Sequence, residues 1–215
     1  MKKLVLEMKI KKELKRFQEF KSSFKFEMKE LKETDDGSIF LNDVCLKDGK
    51  TGEWFSEPEN IINIAYMFHG VLPKALSNLF RYKLYFKGFI FESAEAVFQC
   101  LKVKDKKLQR KLFDYSGVPS NKLSAFSDYN WKEKGYVYFQ GKEIKRDSKE
   151  YDDFIDEMYV SLLQNPLYRN ALKNSGDKIL LHSIGVNDKT KTLFTRFEFE
   201  RQVNALRAYV NEYYK

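Results

Sequence analysis

Residues 75–104 have the sequence ALSNLFRYKLYFKGFIFESAEAVFQCLKVK, which contains the clearest structural pattern in the chain. Two short runs rich in aromatic and aliphatic residues flank Lys87-Gly88, a pair typical of a tight turn, and this predicts a hairpin of two strands. Ser93 then precedes a run with helical periodicity and is suited to cap the N-terminus of a helix. The stretch therefore predicts a loop at residues 76–80, a hairpin and a helix, in that order.

The predicted helix has a narrow polar side. At 100° per residue, Glu95, Gln99 and Lys102 lie within about 60° of one another, and the apolar residues lie broadly opposite. Glu95 either compensates the helix dipole or acts as a general acid or base, and beside a sugar it would stabilise an oxocarbenium-like transition state. Gln99 could hydrogen-bond a ligand. Lys102 is either a solvated lysine, a phosphate ligand or, if desolvated, an amine nucleophile.

The composition is that of a globular protein. Of the 215 residues, 43% are hydrophobic and 16% are aromatic, enough to build a large core. The net charge of +8 favours anionic partners such as nucleotides or nucleic acid, although lysines also promote solubility. We expect no signal peptide, no membrane span and a cytoplasmic location. The abundance of Lys, Asn, Phe and Tyr would suit an AT-rich genome such as that of a phage.

Cysteine and histidine are too rare for several kinds of site. Cys45, Cys100, His69 and His182 are the complete set, and they allow neither a metal finger nor a disulfide framework. Cys100 lies nearer the apolar side of its predicted helix, which favours a buried, inert thiol over a catalytic one. The chain also lacks a Gly-rich phosphate loop and a Gly-x-Ser-x-Gly motif. We therefore expect no metal and no redox cofactor.

The N-terminal region has weaker patterns. Apolar residues spaced by three and four predict a helix over about residues 9–33, which either packs on the body or forms a basic arm that contacts phosphates. Asp48-Gly49 predicts a hairpin turn between strands at residues 38–46 and 51–55. A short helix is predicted at about residues 61–68.

The remaining elements complete the prediction of an α+β fold that is mostly helical. A small irregular β element carries the pocket loop. Residues 1–60 are predicted to form an N-terminal extension, a basic helix plus a hairpin, on a single domain at residues 61–215. The further predicted elements are a helix at 105–113, a loop at 117–121, a hairpin at 135–145 that turns at Gly141, helices at 150–164 and 167–173, a strand at 179–184 and a closing helix at 197–214.

These motifs together resemble the NADAR family, also called YbiA-like. The shared pattern is Leu-Ser-Asn followed by an aromatic residue, a strand pair through Gly88, and Ser-x-Glu-x-x-Phe-Gln-x-x-Lys. The resemblance covers about residues 66–211, and the segment ILLHSIGVNDKT is similar to the one before the closing helix of the family. The chain departs from the family at Arg81, where a proline is usual, and at Ala96, where a histidine is usual. The matching residues are Leu76, Ser77, Asn78, Gly88, Ser93, Glu95, Phe98, Gln99, Lys102, His182 and Asp188.

The resemblance implies a NADAR-type fold and an N-glycosidase. Members of the family cleave N-glycosidic bonds in ribosylamino-pyrimidine intermediates of riboflavin synthesis, or between ADP-ribose and a modified guanine base. The favoured substrate class is an ADP-ribosylated guanine base or another ADP-ribose conjugate. Glu95 and Lys102 would then be catalytic. The residues expected to contact the substrate are Ser77, Asn78, Phe80, Gln99, Trp131, His182 and Asp188, with Tyr151 as an alternative to Trp131.

Other functions are compatible with the same residues. The chain could be a non-catalytic module that binds or sequesters molecules derived from NAD or ADP-ribose, or an N-glycosidase for a riboflavin intermediate. The basic N-terminal segment could dock nucleic acid or a protein partner, in which case the core would recognise ADP-ribosylated DNA or RNA. The expected partner is thus an ADP-ribose-like or NAD-like small molecule, or ADP-ribosylated nucleic acid.

Overall fold

The structure is a computed structural model that describes residues 2–114 and 130–214. In this part of the chain the fold is mixed α and β and mostly helical, which confirms the predicted class. The predicted loop at 117–121 lies outside the described residues. The elements in chain order are α1 (Lys2–Ser23), β1 (Lys32–Glu33), β2 (Ile39–Leu41), β3 (Val44–Lys47), β4 (Ile61–Asn63), α2 (Val71–Ala75), β5 (Leu84–Phe86), β6 (Phe89–Phe91), α3 (Ala94–Leu101), α4 (Lys106–Leu112), α5 (Asn130–Lys134), β7 (Tyr136–Phe139), β8 (Lys142–Lys145), α6 (Lys149–Leu162), α7 (Pro166–Asn174), β9 (Ile179–Leu181) and α8 (Arg196–Tyr213).

The chain forms two compact units. The described residues of Met1–Ser23, Asn78–Tyr168 and Lys189–Leu193 make up the first unit. The second unit is built from Phe24–Ser77, Arg169–Asp188 and Phe194–Lys215. The division into an extension (residues 1–60) and a domain (residues 61–215) stays a prediction.

The first unit is built around the predicted hairpin and helix. Strands β5 and β6 pair antiparallel, and the turn between them has positive φ at both Lys87 (47°) and Gly88 (86°), which is typical of a type I′ hairpin turn. The pairing buries Phe86 and Phe91, and the ring of Phe86 meets that of Phe154 in α6 edge-on at 4.8 Å. Aromatic packing therefore holds the hairpin on α6.

Helix α1 packs on α6 in this unit but is shorter than predicted. It ends at Ser23, so the predicted helix over residues 9–33 is wrong beyond that residue. The hydroxyls of Ser22 and Ser23 donate to the carbonyls of Glu19 and Phe20, and serine competes in this way with helical backbone bonds. Residues 24–30 form neither helix nor strand.

The second unit contains the elements that the sequence predicted least well. Strands β2 and β3 form a hairpin through Asn42-Asp43, with φ of 53° at Asn42, so the predicted single strand over 38–46 is wrong. The side chain of Asp48 instead accepts bonds from the backbone N–H groups of Lys50 and Thr51, which forms a local turn. A single antiparallel β-bridge between Lys47 and Trp54 joins the two sides of this turn.

The predicted helix at residues 61–68 is wrong as well. Residues 61–63 form strand β4, which pairs in parallel with β9 through Ile61 and Ile179 and through Ile62 and Leu180. All three residues of β4 are buried, as expected for a parallel strand. Three residues are too few to show a period, and their partner lies more than a hundred residues away in sequence.

The other predicted elements are present with small changes at their ends. The hairpin β7–β8 turns at Gln140-Gly141, helix α4 begins after the Asp105 cap, and helices α6 and α7 match their predicted positions. The closing helix α8 begins at a capping box formed by Thr195 and Glu198. Within the described residues, no helix combines the length and the apolar character needed to cross a membrane.

Candidate functional site

A chain of side-chain hydrogen bonds runs along the polar side of α3. Ser93 caps this helix, because its Oγ accepts a bond of 3.2 Å from the N–H of Ala96. The Gln99 amide is buried, and its Nε2 donates to Oε1 of the half-buried Glu95. Lys102 Nζ donates to Oε1 of Gln99 at 3.0 Å. The amide thus connects the acid to the amine and fixes the orientation of both.

The loop before the hairpin is tied to the start of α3. The N–H of Glu95 donates to the backbone carbonyl of Asn78 at 2.9 Å, and the hydroxyl of Tyr159 in α6 donates to Oδ1 of Asn78 at 2.7 Å. Burial raises the pKa of Tyr159 well above its usual value, so its hydroxyl remains a donor. Asn78 is therefore held from both its backbone and its side chain beside the carboxylate.

Lys102 lies in an environment that favours its neutral amine over its ammonium form. Burial lowers its pKa, the carboxylate of Glu95 opposes this shift, and the ammonium of Lys132 adds to it. Both ammonium groups lie near the indole ring of Trp131, with Nζ of Lys102 at 5.8 Å and Nζ of Lys132 at 5.4 Å from the ring centre. Lys102 therefore has more neutral amine at mildly alkaline pH than an exposed lysine has.

Trp131 is almost completely enclosed, with 4% of its surface exposed. Its Nε1–H has no hydrogen-bond partner among residues 2–114 and 130–214. Since the two lysines occupy space near its ring, a base could stack on Trp131 only after they move. The alternative aromatic residue, Tyr151, is also buried and donates its hydroxyl to the carbonyl of Leu193 at 2.7 Å.

Phe80 begins a small aromatic cluster next to Asn78. Its half-buried ring lies 4.5 Å from that of Tyr82, which in turn meets Tyr168 edge-on at 5.4 Å. Burial raises the pKa of Tyr82 to about 12. The hydroxyl of Tyr168 is buried without a hydrogen-bond partner in the described part of the chain. Of these rings, Phe80 has the exposed area that a stacked base needs.

Three predicted contact residues belong to the second unit. Ser77 is buried just after α2, and its N–H donates to the carbonyl of Lys74 at 3.1 Å. His182 follows β9, its Nδ1 contacts the carbonyl of Ile64, and burial lowers its pKa. Because a carbonyl only accepts, Nδ1 carries the proton and Nε2 is left as an acceptor. Asp188 is half-buried and belongs to the chain segment that connects β9 to α8.

The first unit thus assembles most of the predicted site. It contains the hydrogen-bonded chain along α3, the Asn78 loop, Phe80 and Trp131, whereas the second unit contains Ser77, His182 and Asp188. Sequence reasoning missed Tyr159, because its spacing in α6 is that of a core residue. Cys100 is buried, and burial raises the pKa of its thiol, as expected for an inert cysteine. Among the described residues, no three His, Cys, Asp or Glu side chains gather as metal ligands.

Comparison with known proteins shows the family. Residues 70–208 match the family described as bacteriophage protein GP30.3, so the chain belongs to this family, and the expectation of a phage protein is confirmed. A curated relative in Enterobacteria phage T4 is named "Uncharacterized 17.1 kDa protein in Gp30-rIII intergenic region". It is 30% identical over 135 residues, which are 62% of this chain and 88% of the relative. No solved structure matches the chain. The predicted site residues all lie within the matched region.

Proposed function

We propose that this protein is an N-glycosidase with a NADAR-type fold. Its substrate would be a ribosylated, nucleotide-like molecule, and the favoured class is an ADP-ribosylated guanine base or another ADP-ribose conjugate. The observation that carries the proposal is the hydrogen-bonded chain from Glu95 through Gln99 to Lys102. The motif resemblance adds the substrate class, since the same residues recur there at the same spacing.

Glu95 is the proposed acid–base residue. Glu95 is half-buried, so part of the residue is open to water and substrate, and Gln99 donates to one of its carboxylate oxygens. As the bond between ribose C1′ and the base nitrogen breaks, its electron pair leaves with the base and C1′ becomes oxocarbenium-like. A water molecule then attacks C1′ while the Glu95 carboxylate accepts its proton and passes it to the departing base nitrogen, which leaves a ribose hydroxyl, the neutral base and the regenerated carboxylate.

Lys102 and Asn78 are the proposed positioning groups for the ribose and phosphate. As an ammonium, Lys102 would bind a phosphate oxygen beside Glu95. As a neutral amine, which its lowered pKa favours, it could attack C1 of an opened sugar. Asn78 is fixed by Tyr159 and by the N–H of Glu95, so its amide nitrogen can donate to a ribose hydroxyl without further ordering.

A matched pair of glutamate variants tests the proposal. The protein is incubated with DNA that carries ADP-ribosylated guanine and, separately, with a ribosylamino-pyrimidine phosphate, and mass spectrometry measures the released base or ADP-ribose. Glu95→Gln should lower release by at least about 100-fold while ligand binding persists. Glu143→Gln is the control, because Glu143 is an exposed glutamate of β8 in the same unit.

A non-catalytic binding module is the second candidate. It is favoured by Ala96, which replaces the usual histidine of the resembling family and is fully buried, so no imidazole stands next to Glu95. Tight binding with intact ligand recovered from the complex would support this candidate and exclude hydrolysis. Release from the pyrimidine substrate alone would instead identify an N-glycosidase for a riboflavin intermediate.

A further inference from the structure

Helix α1 is fixed on the first unit through one of its sides. Ile10 and Phe17 are buried on this side. Gln18 Nε2 donates to Asp153 of α6 at 2.7 Å. Lys21 Nζ lies 2.5 Å from Asp156 in the same helix, and both of these side chains are largely buried. These contacts set the rotation of α1 about its axis, so its opposite side faces solvent.

The solvent side of α1 is a row of lysines. Lys9, Lys11, Lys12 and Lys15 are all exposed, and they span about 9 Å along the helix axis at 1.5 Å per residue. Lys11, Lys12 and Lys15 lie within about 100° of one another around the helix, and Lys9 lies about 60° beyond Lys12. The first three lysines of the row form no ion pair with any described residue. The pair between Lys15 and Glu19 is 4.0 Å long and exposed, so it neutralises little charge.

This lysine row lies outside the region that defines the family. The match to the GP30.3 family begins at residue 70, whereas α1 comprises residues 2–23. The contacts that hold α1 use its other side, so the row is not needed for its packing. Four lysines lie within two turns on the exposed part of α1, their like charges repel one another, and a bound polyanion would relieve that repulsion.

We propose that the lysine row of α1 docks the phosphate backbone of nucleic acid. Double-stranded DNA carries one negative charge per about 1.7 Å of its axis, so a row of about 9 Å faces several phosphates at once. The proposal concerns binding and stands apart from the glycosidase activity. If both hold, the row would retain a nucleic-acid substrate on the same compact unit as Glu95.

An anionic membrane surface is the competing occupant. Leu4, Val5 and Met8 in the first turns of α1 are 63%, 47% and 64% exposed and could enter lipid. However, an interfacial helix places its apolar side in the membrane and its lysines away from it. In α1 the main apolar side is already buried against α6, and the exposed Leu4, Val5 and Met8 lie on the same outward side as the lysines instead of opposite them. Nucleic acid therefore fits the surface better.

The test measures binding by the full-length protein without turnover. Fluorescence anisotropy with a labelled 20-base-pair duplex gives the affinity between about 50 and about 300 mM salt. Replacing Lys9, Lys11, Lys12 and Lys15 together with glutamine should weaken binding at least about 10-fold and reduce the salt slope by about 3. A second variant with arginine at all four positions should bind like the wild type. The charge-matched control carries glutamine at four exposed lysines elsewhere: Lys107, Lys111, Lys145 and Lys173.

Each outcome decides the proposal. A loss confined to the α1 glutamine variant, with arginine rescue, supports it. Equal losses in the α1 variant and the control would show that binding follows net charge, and unchanged binding in the α1 variant would exclude the row; either result overturns the proposal. Binding to vesicles with anionic lipid but not to the duplex also overturns it in favour of a membrane surface. Circular dichroism confirms that every variant is folded.

Discussion

The hydroxyl of Tyr159 donates a hydrogen bond of 2.7 Å to Oδ1 of Asn78, a residue 81 positions earlier in the sequence. The bond joins helix α6 to the loop that precedes the β5–β6 hairpin. Because the N–H of Glu95 also donates to the Asn78 backbone, the loop, α6 and the start of α3 meet at one asparagine. The position of Asn78 beside the carboxylate therefore depends on a tyrosine in a distant part of the sequence.

Removing this hydroxyl should loosen the loop without opening a cavity. Tyr159→Phe is expected to lower the free energy of unfolding by about 1–2 kcal/mol, because Asn78 loses its donor in a buried setting. If Asn78 contacts substrate, KM should also rise. Denaturant unfolding and steady-state kinetics measure the two effects. Tyr136→Phe in β7 is the control, since Tyr136 is half-buried and its hydroxyl has no hydrogen-bond partner among the described residues. Equal effects of the two variants would contradict the role of the bond.

The pKa of Lys102 should respond in opposite directions to its two charged neighbours. Lys132→Gln removes a nearby positive charge and should raise the pKa of Lys102, whereas Glu95→Gln removes a negative charge and should lower it further. NMR titration of the lysine side-chain resonances measures both shifts. Lys107→Gln, an exposed lysine of α4, should leave the pKa unchanged. Shifts of the same sign in the first two variants would contradict this electrostatic arrangement.

The same pKa predicts a pH dependence of stability. Since burial disfavours the ammonium in the folded state, the unfolded chain binds more protons between the lowered pKa and 10.5. The unfavourable contribution of Lys102 is fully present below its folded pKa and disappears as the pH rises through this window. Relative to Lys102→Met, the wild type should therefore gain stability with pH up to about 10.5, as measured by denaturant unfolding. A constant difference between the two proteins would contradict the prediction.

Short sequence patterns predicted those helices and turns that interactions between neighbouring residues determine. Lys87-Gly88 has the backbone freedom of a type I′ turn, and Ser93 has the hydroxyl that caps α3, so the hairpin and helix followed from short spacings. Strand β4 could not be found this way, because Ile61 is a strand residue through its pairing with Ile179. The β2–β3 hairpin was missed because it turns at Asn42, which adopts a positive φ, whereas Asp48-Gly49 is the stronger local turn signal.

In the candidate site too, only contacts between residues close in sequence could be predicted. Glu95, Gln99 and Lys102 are neighbours on one helix, so their contact followed from the helical period. Tyr159 has the spacing of a core residue, and its hydrogen bond to Asn78 depends on tertiary packing that no local pattern contains. The position of Lys102 next to the ring of Trp131 likewise depends on tertiary structure, since the two residues are 29 positions apart in the sequence.

Gln99 should couple the acid to the amine. Gln99→Leu keeps the approximate volume but removes both hydrogen bonds, so Glu95 and Lys102 lose their shared partner. If the proposed glycosidase activity holds, we expect kcat to fall by at least about 10-fold, since orientation of the carboxylate is lost, while the fold persists. Gln99→Glu places a second carboxylate next to Glu95. Repulsion between the two negative charges should raise the pKa of the pair and shift the pH dependence of kcat to higher pH. An unchanged profile would mean that residue 99 does not contact the reacting acid.

Gln109 is a buried amide that supports the end of α3, and no local sequence pattern indicates this role. Its side chain is fully buried, and the two N–H groups of its Nε2 are shared among the carbonyls of Cys100, Val103 and Tyr138, which lie at 3.0, 2.5 and 2.8 Å. Its Oε1 accepts bonds from the backbone and side chain of Gln140. One amide therefore joins the end of α3 to the β7–β8 hairpin.

Gln109→Met should consequently be among the most destabilising conservative changes in this unit. The methionine fits the volume but leaves carbonyls without a donor, and we expect a loss of about 2–4 kcal/mol in the free energy of unfolding. Hydrogen exchange should rise at the backbone N–H of Gln140, which loses its acceptor, Oε1 of Gln109. Gln164→Met, a half-buried glutamine just after α6, should cost less than about 0.5 kcal/mol, as is usual away from such networks. A similarly small cost at Gln109 would mean that water replaces the amide, and the end of α3 that carries Lys102 would then not depend on it.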